Sequence, residues 1–267
     1  MRLVKTRIDD FNTAPARLSK EICAARQPVS SIRIGCAGWA LRKEHFELFP
    51  KEGTHLTTYA ARMSAVEINS SFYRTHLPNT YTRWAESVPD SFLFAVKMPK
   101  QVTHVQRLAY VEDAFDRFLS EVSSLDGKLG PVLVQLPPSL SFSFTIAERF
   151  FTCLRERFDG EVALEPRHVS WFADKADRLI TSFRIARVAA DPAVVAAASE
   201  PGGWGGLAYY RLHGAPRTYY SSYSEDYLGA LAQKLIEESS AASVWCIFDN
   251  TAEGAATLNA LEVRKRV

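Results

Sequence analysis

The chain has 267 residues, 47% of them apolar and 23% charged, and 32 Lys and Arg against 30 Asp and Glu leave a net charge of +2. That is a globular composition, not a disordered or fibrous one, and so even a balance argues against a whole-chain electrostatic footprint for nucleic acid or membrane. No apolar run reaches the roughly 18–20 residues that span a bilayer. The cysteines Cys23, Cys36, Cys153 and Cys246 are scattered and form no CxxC pair, which points away from a disulfide framework or zinc site and toward a reducing cytoplasm.

Residues 1–30 are polar and of mixed charge, lack the apolar core of a signal peptide, and carry Asp9 and Asp10. They are expected to form an arm ahead of a single domain spanning 31–267. From there the chain repeats one pattern: a short apolar or β-branched run, a polar residue, a loop and an amphipathic segment. Strands are expected at 32–36 (IRIGC), 65–69 (AVEIN), 92–97 (FLFAVK) and 132–135 (VLVQ), then at 162–165 (VALE), 185–189 (IARVA), 207–213 (LAYYRLH) and 244–249 (VWCIFD). Between them, apolar spacing of three to four predicts helices over 57–63, 80–88, 112–125, 145–158, 170–183, 224–239 and 251–261. Ser224 before Glu225 and Asp226, and Thr251 before Glu253, place a cap and acidic groups where the helix dipole favours them. The stretch 191–206, ending in PGGWGG, reads as a loop or a degenerate sixth helix.

Alternating β and α units in this number point to a single (β/α)8 TIM-barrel-like domain with an irregular or missing sixth helix. An open doubly wound sheet is the alternative, but GCAGW after the first strand is not a GxGxxG loop. Active sites of such barrels assemble at the C-terminal ends of the strands, and polar residues gather there. They are Trp39 after the first strand, Glu67 and Asn69 on one face of the second, Lys97, Gln135, and Glu165 followed by Arg167 and His168. Asp191 follows the sixth, Arg211 and His213 share a face of the seventh with Tyr209, and Asp249 and Asn250 end the eighth. Burying so many ions costs several kcal/mol each unless they are well paired, so a chain needing only a core would place Val, Ile or Leu there.

The ordered segments GCAGWA, VEINSSFYR, FAVKMPKQVTH, LGPVLVQLPPSLSF, ALEPRHVSWF, YYRLHG and FDNTAEGAATLNA closely resemble the YecE-like family, also called domain of unknown function 72, over about residues 32–262. The resemblance implies a TIM-barrel-like fold and carries no established activity. Pro166 departs from the bulky residue usual between the Glu and the Arg-His of this family, and Cys36 stands where small hydroxyl residues are common.

The expected function is acid–base chemistry on a small anionic substrate, phosphate- or carboxylate-bearing, or on a sugar-like one. Glu67, Glu165, His168, His213 and Asp249 are the proton-handling candidates. Lys97, Arg167 and Arg211 are expected to hold the anion, with Asn69, Gln135 and Asn250 as further polar contacts and Trp39, Tyr73 and Trp171 as stacking surfaces. Gly214, Thr251 and Gly254 would offer backbone N–H groups in loops where this fold often binds phosphate. The expected partner is thus a small anionic ligand; no cofactor signature is present, no membrane partner is expected, and no oligomeric state is assigned. One alternative is a metal-dependent phosphodiesterase or nuclease, although no HxH, HExxH or DxH spacing is present. Another is a nucleic-acid-binding protein without catalysis, using Lys100, His104 and Arg107 or the tail Arg264, Lys265 and Arg266. Lys97 as a Schiff-base lysine is a further possibility.

Overall fold

The structure is a computed structural model and describes residues 32–267; the expected N-terminal arm and Cys23 lie outside that range. In chain order the elements are β1 (Ile32–Cys36), α1 (His55–Ala60), β2 (Ala65–Ile68), α2 (Pro78–Glu86), β3 (Leu93–Lys97) and α3 (Glu112–Val122). Next come β4 (Leu129–Gln135), α4 (Phe144–Arg157), β5 (Val162–Glu165), α5 (Asp174–Ser182), β6 (Ala186–Arg187), β7 (Ala189–Asp191) and β8 (Gly202–Gly203). The chain ends with β9 (Leu207–Leu212), α6 (Glu225–Glu238), β10 (Ser243–Phe248) and α7 (Ala255–Arg264).

The strands form two ladders, β1-β10-β9-β7 and β2-β3-β4-β5-β6-β8. Pairing is parallel except between β6 and β8. This is a mixed α/β architecture in which helices cover parallel sheets. The two faces of the strands are occupied by different residues. Val66, Ile68, Phe94, Val96, Val132, Val134, Leu164, Leu212, Cys246 and Phe248 join the large core shared with the helices. The opposite face carries Ala65, Ala95, Leu133, Ala163, Ala186, Tyr209, Trp245 and Ile247, packed as a second cluster. The two-residue period of a strand produces this separation, and it reads directly from the sequence.

Helix starts follow the expected chemistry in part. The Ser224 hydroxyl accepts from Tyr227 N at 3.3 Å, with Glu225 and Asp226 in the first turn of α6. The final helix begins later than expected, at Ala255 after Gly254 in the left-handed region at φ 83°, because Ala256 N is drawn back to Asn250 O at 3.1 Å. The helix expected over 170–183 is interrupted. Trp171 is buried with its Nε1–H on Leu140 O at 2.9 Å, which holds residues 169–172 as a separate tight turn, and α5 restarts after the extended Ala173. In place of a sixth helix there is a short 3-10 turn, Ala196–Ser199, then β8. Gly202 permits β8 to approach, since a Cβ there would stand 2.3 Å from Arg187 Nη2. Among the described residues no helix is long and apolar enough to cross a membrane.

Candidate functional site

The polar cluster is an extension of the inward face. Two residues beyond Ala65 comes Glu67, beyond Ala95 comes Lys97, beyond Leu133 comes Gln135 and beyond Ala163 comes Glu165. Beyond Tyr209 come Arg211 and His213, and beyond Ile247 comes Asp249. Strand alternation therefore aims these side chains the same way as the apolar cluster beneath them. Tyr209 and Trp245 stack there at 6.1 Å and 8°.

Arg211 is the hub. It is fully buried and donates through Nε to Glu67 Oε2 (3.0 Å), through Nη2 to Glu67 Oε1 (2.8 Å) and Asp249 Oδ2 (3.0 Å), and through Nη1 to Glu165 Oε2 (2.6 Å). Tyr209 donates its hydroxyl to Glu67 Oε2 at 2.9 Å. His213, also fully buried, has Nδ1 at 2.9 Å from Asp249 Oδ2 and Nε2 at 2.9 Å from Glu165 Oε1. Arg167 crosses the same corner, with Nη2 at 2.5 Å from Glu165 Oε1 and 2.7 Å from His213 Nε2. With its proton on Nδ1 the ring donates to Asp249 and accepts at Nε2 from Arg167, whose guanidinium can only donate.

Charge stabilises the network against its own burial. Burial by itself would raise the Glu165 carboxyl, but Arg211, His213 and Arg167 outweigh it and hold it well below the usual range. Asp249 is lowered too, burial again opposing and Arg211 and His213 prevailing. Arg211 is the mirror case: desolvation is overcome by three carboxylates, which raise it well above its ordinary value. Lys97 differs. Burial, then Arg211, pushes its ammonium down to about 8 against the opposing pull of Glu67, Glu165 and Asp249. Its Nζ sits 4.4 Å from the Phe72 ring centroid.

These contacts redistribute the expected roles. Arg211, expected to hold an anion, instead makes four hydrogen bonds to three carboxylates of the chain itself. Glu67 is not a free base: both oxygens are engaged by Arg211 and Tyr209. His168 accepts at Nδ1 from Ser170 N (3.2 Å) and caps the following turn instead of joining the cluster. Asn250 points its amide at Ser221 O and Asn259 Oδ1, both at 2.9 Å. The Gly214 N–H is taken by the Tyr223 hydroxyl (2.8 Å), and that of Gly254 by Thr251 O (3.2 Å), so neither is available as a phosphate cradle. Trp171 is buried in the helix layer and presents no stacking face. At the rim, Trp39 packs edge-on against Trp84 at 5.0 Å, Gln135 is part-buried, and Tyr73 is 68% exposed. Two buried atoms there, Asn69 Oδ1 and Arg167 Nε, have no hydrogen-bond partner among the described residues. Tyr209 and Tyr219, whose ring meets His213 edge-on at 5.9 Å, are the site residues that sequence reasoning passed over. The shared face of Tyr209 with Arg211 was the available signal for the first. Among the described residues no group of three His, Cys, Asp or Glu is arranged to hold a metal ion. A surface cavity of about 350 Å³ lies elsewhere, at the helix layer beside Tyr223, Asn259 and Glu262.

Comparison with known proteins adds a family. The model described as "Protein of unknown function DUF72" matches residues 33–267. The UPF0759 protein YecE of Escherichia coli is 31% identical over 121 residues, which are 45% of this chain and 44% of that one. The UPF0759 protein YunF of Bacillus subtilis is 28% identical over 151 residues, 53% of this chain and 52% of that one; the matches thus span about half the length of these curated relatives. Among solved structures, a DUF72 family protein of Enterococcus faecalis superposes with a TM-score of 0.75 at 22% identity, covering 88% of this chain and 95% of that chain. Another from Thermotoga maritima gives 0.73 at 24%, covering 88% and 98%.

Proposed function

Starting from the fact that this chain belongs to the DUF72 family of proteins of unknown function, we propose that it is an enzyme performing acid–base chemistry on a small anionic substrate, phosphate- or carboxylate-bearing, at the C-terminal ends of its strands. The reading takes the two ladders as one (β/α)8 barrel. Three observations support closure. Only Val188 separates β6 from β7. Between β1 and β2, Ala37 bridges Glu67, and Gly38 N donates to Glu67 O at 2.9 Å. The inward apolar cluster also draws side chains from both ladders, Ala65 and Ala163 from one and Tyr209 and Trp245 from the other. The buried free thiols Cys36, Cys153 and Cys246 suit a cytoplasmic setting.

One observation carries the function: the His213 imidazole is gripped at Nδ1 by Asp249 and at Nε2 by Glu165, each at 2.9 Å. A carboxylate on one nitrogen fixes the ring, and proton exchange runs through the other. Arg167, with its buried Nε unpartnered, is the group that takes the substrate's anion. In moving to it, Arg167 uncovers His213 Nε2. Lys97 and the unpartnered Asn69 Oδ1 face the same substrate, while Gln135, Trp39 and Tyr73 flank the entrance.

Thermal denaturation of the full chain with increasing inorganic phosphate, acetate or pyruvate tests this. At least one anion should raise the midpoint in a saturable way, as a ligand of the folded state must. Arg167→Ala should weaken that effect at least tenfold. Equal stabilisation of wild type and variant, or none with any of the three, overturns the reading.

A further inference from the structure

We propose that the substrate of this site is a carbonyl compound, an aldehyde or ketone bearing the anionic group, and that Lys97 binds it covalently as an imine. The inference rests on the acid–base reading above and adds the substrate class.

Lys97 stands apart by what it lacks. It is 5% exposed at the end of β3, among charged residues, yet no carboxylate forms an ion pair with it and no acceptor takes a hydrogen bond from its Nζ among the described residues. Its side-chain contact of note is the face of Phe72. The other cations of the cluster are engaged, Arg211 by three carboxylates and Arg167 by Glu165 and His213. A lysine kept for structure looks different in the same molecule: Lys128 is pinned to Ala85 O at 2.7 Å and Val88 O at 2.6 Å. The strand end that carries Lys97 is nevertheless held firmly, since Ser71 donates its hydroxyl to Lys97 O at 2.6 Å and to Ile68 O at 2.9 Å. The position is fixed and the amine is left unbound.

Charge supports the same role. Glu67, Glu165 and Asp249 are engaged by the guanidiniums of Arg211 and Arg167, so none of these carboxylates relies on Lys97 for a hydrogen bond, and Lys97 is left to act as the free amine that a nucleophile must be. Burial and the charge of Arg211, which bring its ammonium down to about 8, favour that state. The groups that bear on Lys97 are Glu67 from β2, Glu165 from β5, Arg211 from β9, Asp249 after β10, and His104 in the turn after β3.

The step balances without an oxidant or reductant. The Nζ lone pair forms a bond to the carbonyl carbon as the C=O π pair moves to oxygen. The two amine protons then leave with that oxygen as water, relayed by His213, and the C=N bond closes. Protonation of the imine makes the adjacent carbon acidic, which gives the His213 couple a proton to take.

The test is reductive trapping on the full chain with sodium cyanoborohydride and glyoxylate, pyruvate or glyceraldehyde 3-phosphate, the adduct being located by peptide mass spectrometry. At least one carbonyl should modify Lys97 at one equivalent, at least tenfold faster than the exposed Lys43, Lys51 and Lys100, and Lys97→Arg should lose that label. The rate should rise with pH to a midpoint near 8, as the free amine requires. Modification of Lys97 no faster than of the exposed lysines overturns the proposal, and this comparison within one protein does not depend on any variant folding. Arg167-dependent stabilisation by anions together with absent trapping would sink the imine alone; failure of both would sink the acid–base reading with it.

Discussion

The two ends of the strands hold their cations in different ways, part-buried at one end and fully buried at the other. At the N-terminal end, Arg155 at the close of α4 donates to Phe183 O, Phe158 O, Gly160 O and Arg184 O at 2.7–3.1 Å, tying together the loops that enter β5 and β6. Lys128 does the same for the loop entering β3. The hydrogen bonds of both go to neutral carbonyls, with the exposed Asp90 carboxylate 3.7 Å from Lys128 Nζ, and burial, then the charge of Arg184, pushes Arg155 down to about 10. At the C-terminal end, Arg211 binds three carboxylates and is raised instead. Backbone carbonyls suffice to staple loops. Side-chain carboxylates add titratable groups, and under the proposed function those are the groups that chemistry would use.

The contrast can be broken by substitution. The largest effect is expected for Arg211→Met, which strands buried carboxylates and should cost about 3–5 kcal/mol in urea denaturation. Next comes acid. Glu165 and Asp249 are lowered in the folded chain, so the stability they add is full above their ordinary values, 4.5 and 3.8, and drains as pH falls through the lowered ones. Urea midpoints measured as pH is lowered should therefore fall more steeply in wild type than in Asp249→Asn; parallel curves would contradict the network's charge state. Arg155→Ala, which orphans carbonyls at the opposite end, should cost about 1–3 kcal/mol and leave anion-induced stabilisation intact. The smallest effect is expected for Asp116→Asn, whose carboxylate meets Arg157 at 2.7 Å on the exposed helix layer. It should change stability by less than ~1 kcal/mol in the same assay.

Much of this was legible in residue order. Strand positions agreed with expectation to within a few residues except at the sixth, which is split into β6 and β7, and at the unexpected β8; an Ala, Leu or Tyr two residues before a Glu, Lys or Arg fits a strand with both faces buried. The interrupted fifth helix was not legible, since the break depends on Trp171 reaching Leu140, 31 residues away. Nor was the loss of Gly214 and Asn250 from the site, which follows from Tyr223, Ser221 and Asn259 arriving from other loops.

Local order, then, determined which side chains point inward and that the last inward layer is charged, since a strand's period needs only neighbours along the chain. Tertiary structure decided who pairs with whom: Arg211 meets Glu67 across 144 residues and Glu165 across 46, and those bonds convert an expected anion holder into an internal hub. The reason is that ion pairing depends on distance in space and on competition among all nearby partners. Both are set only when the strands come side by side.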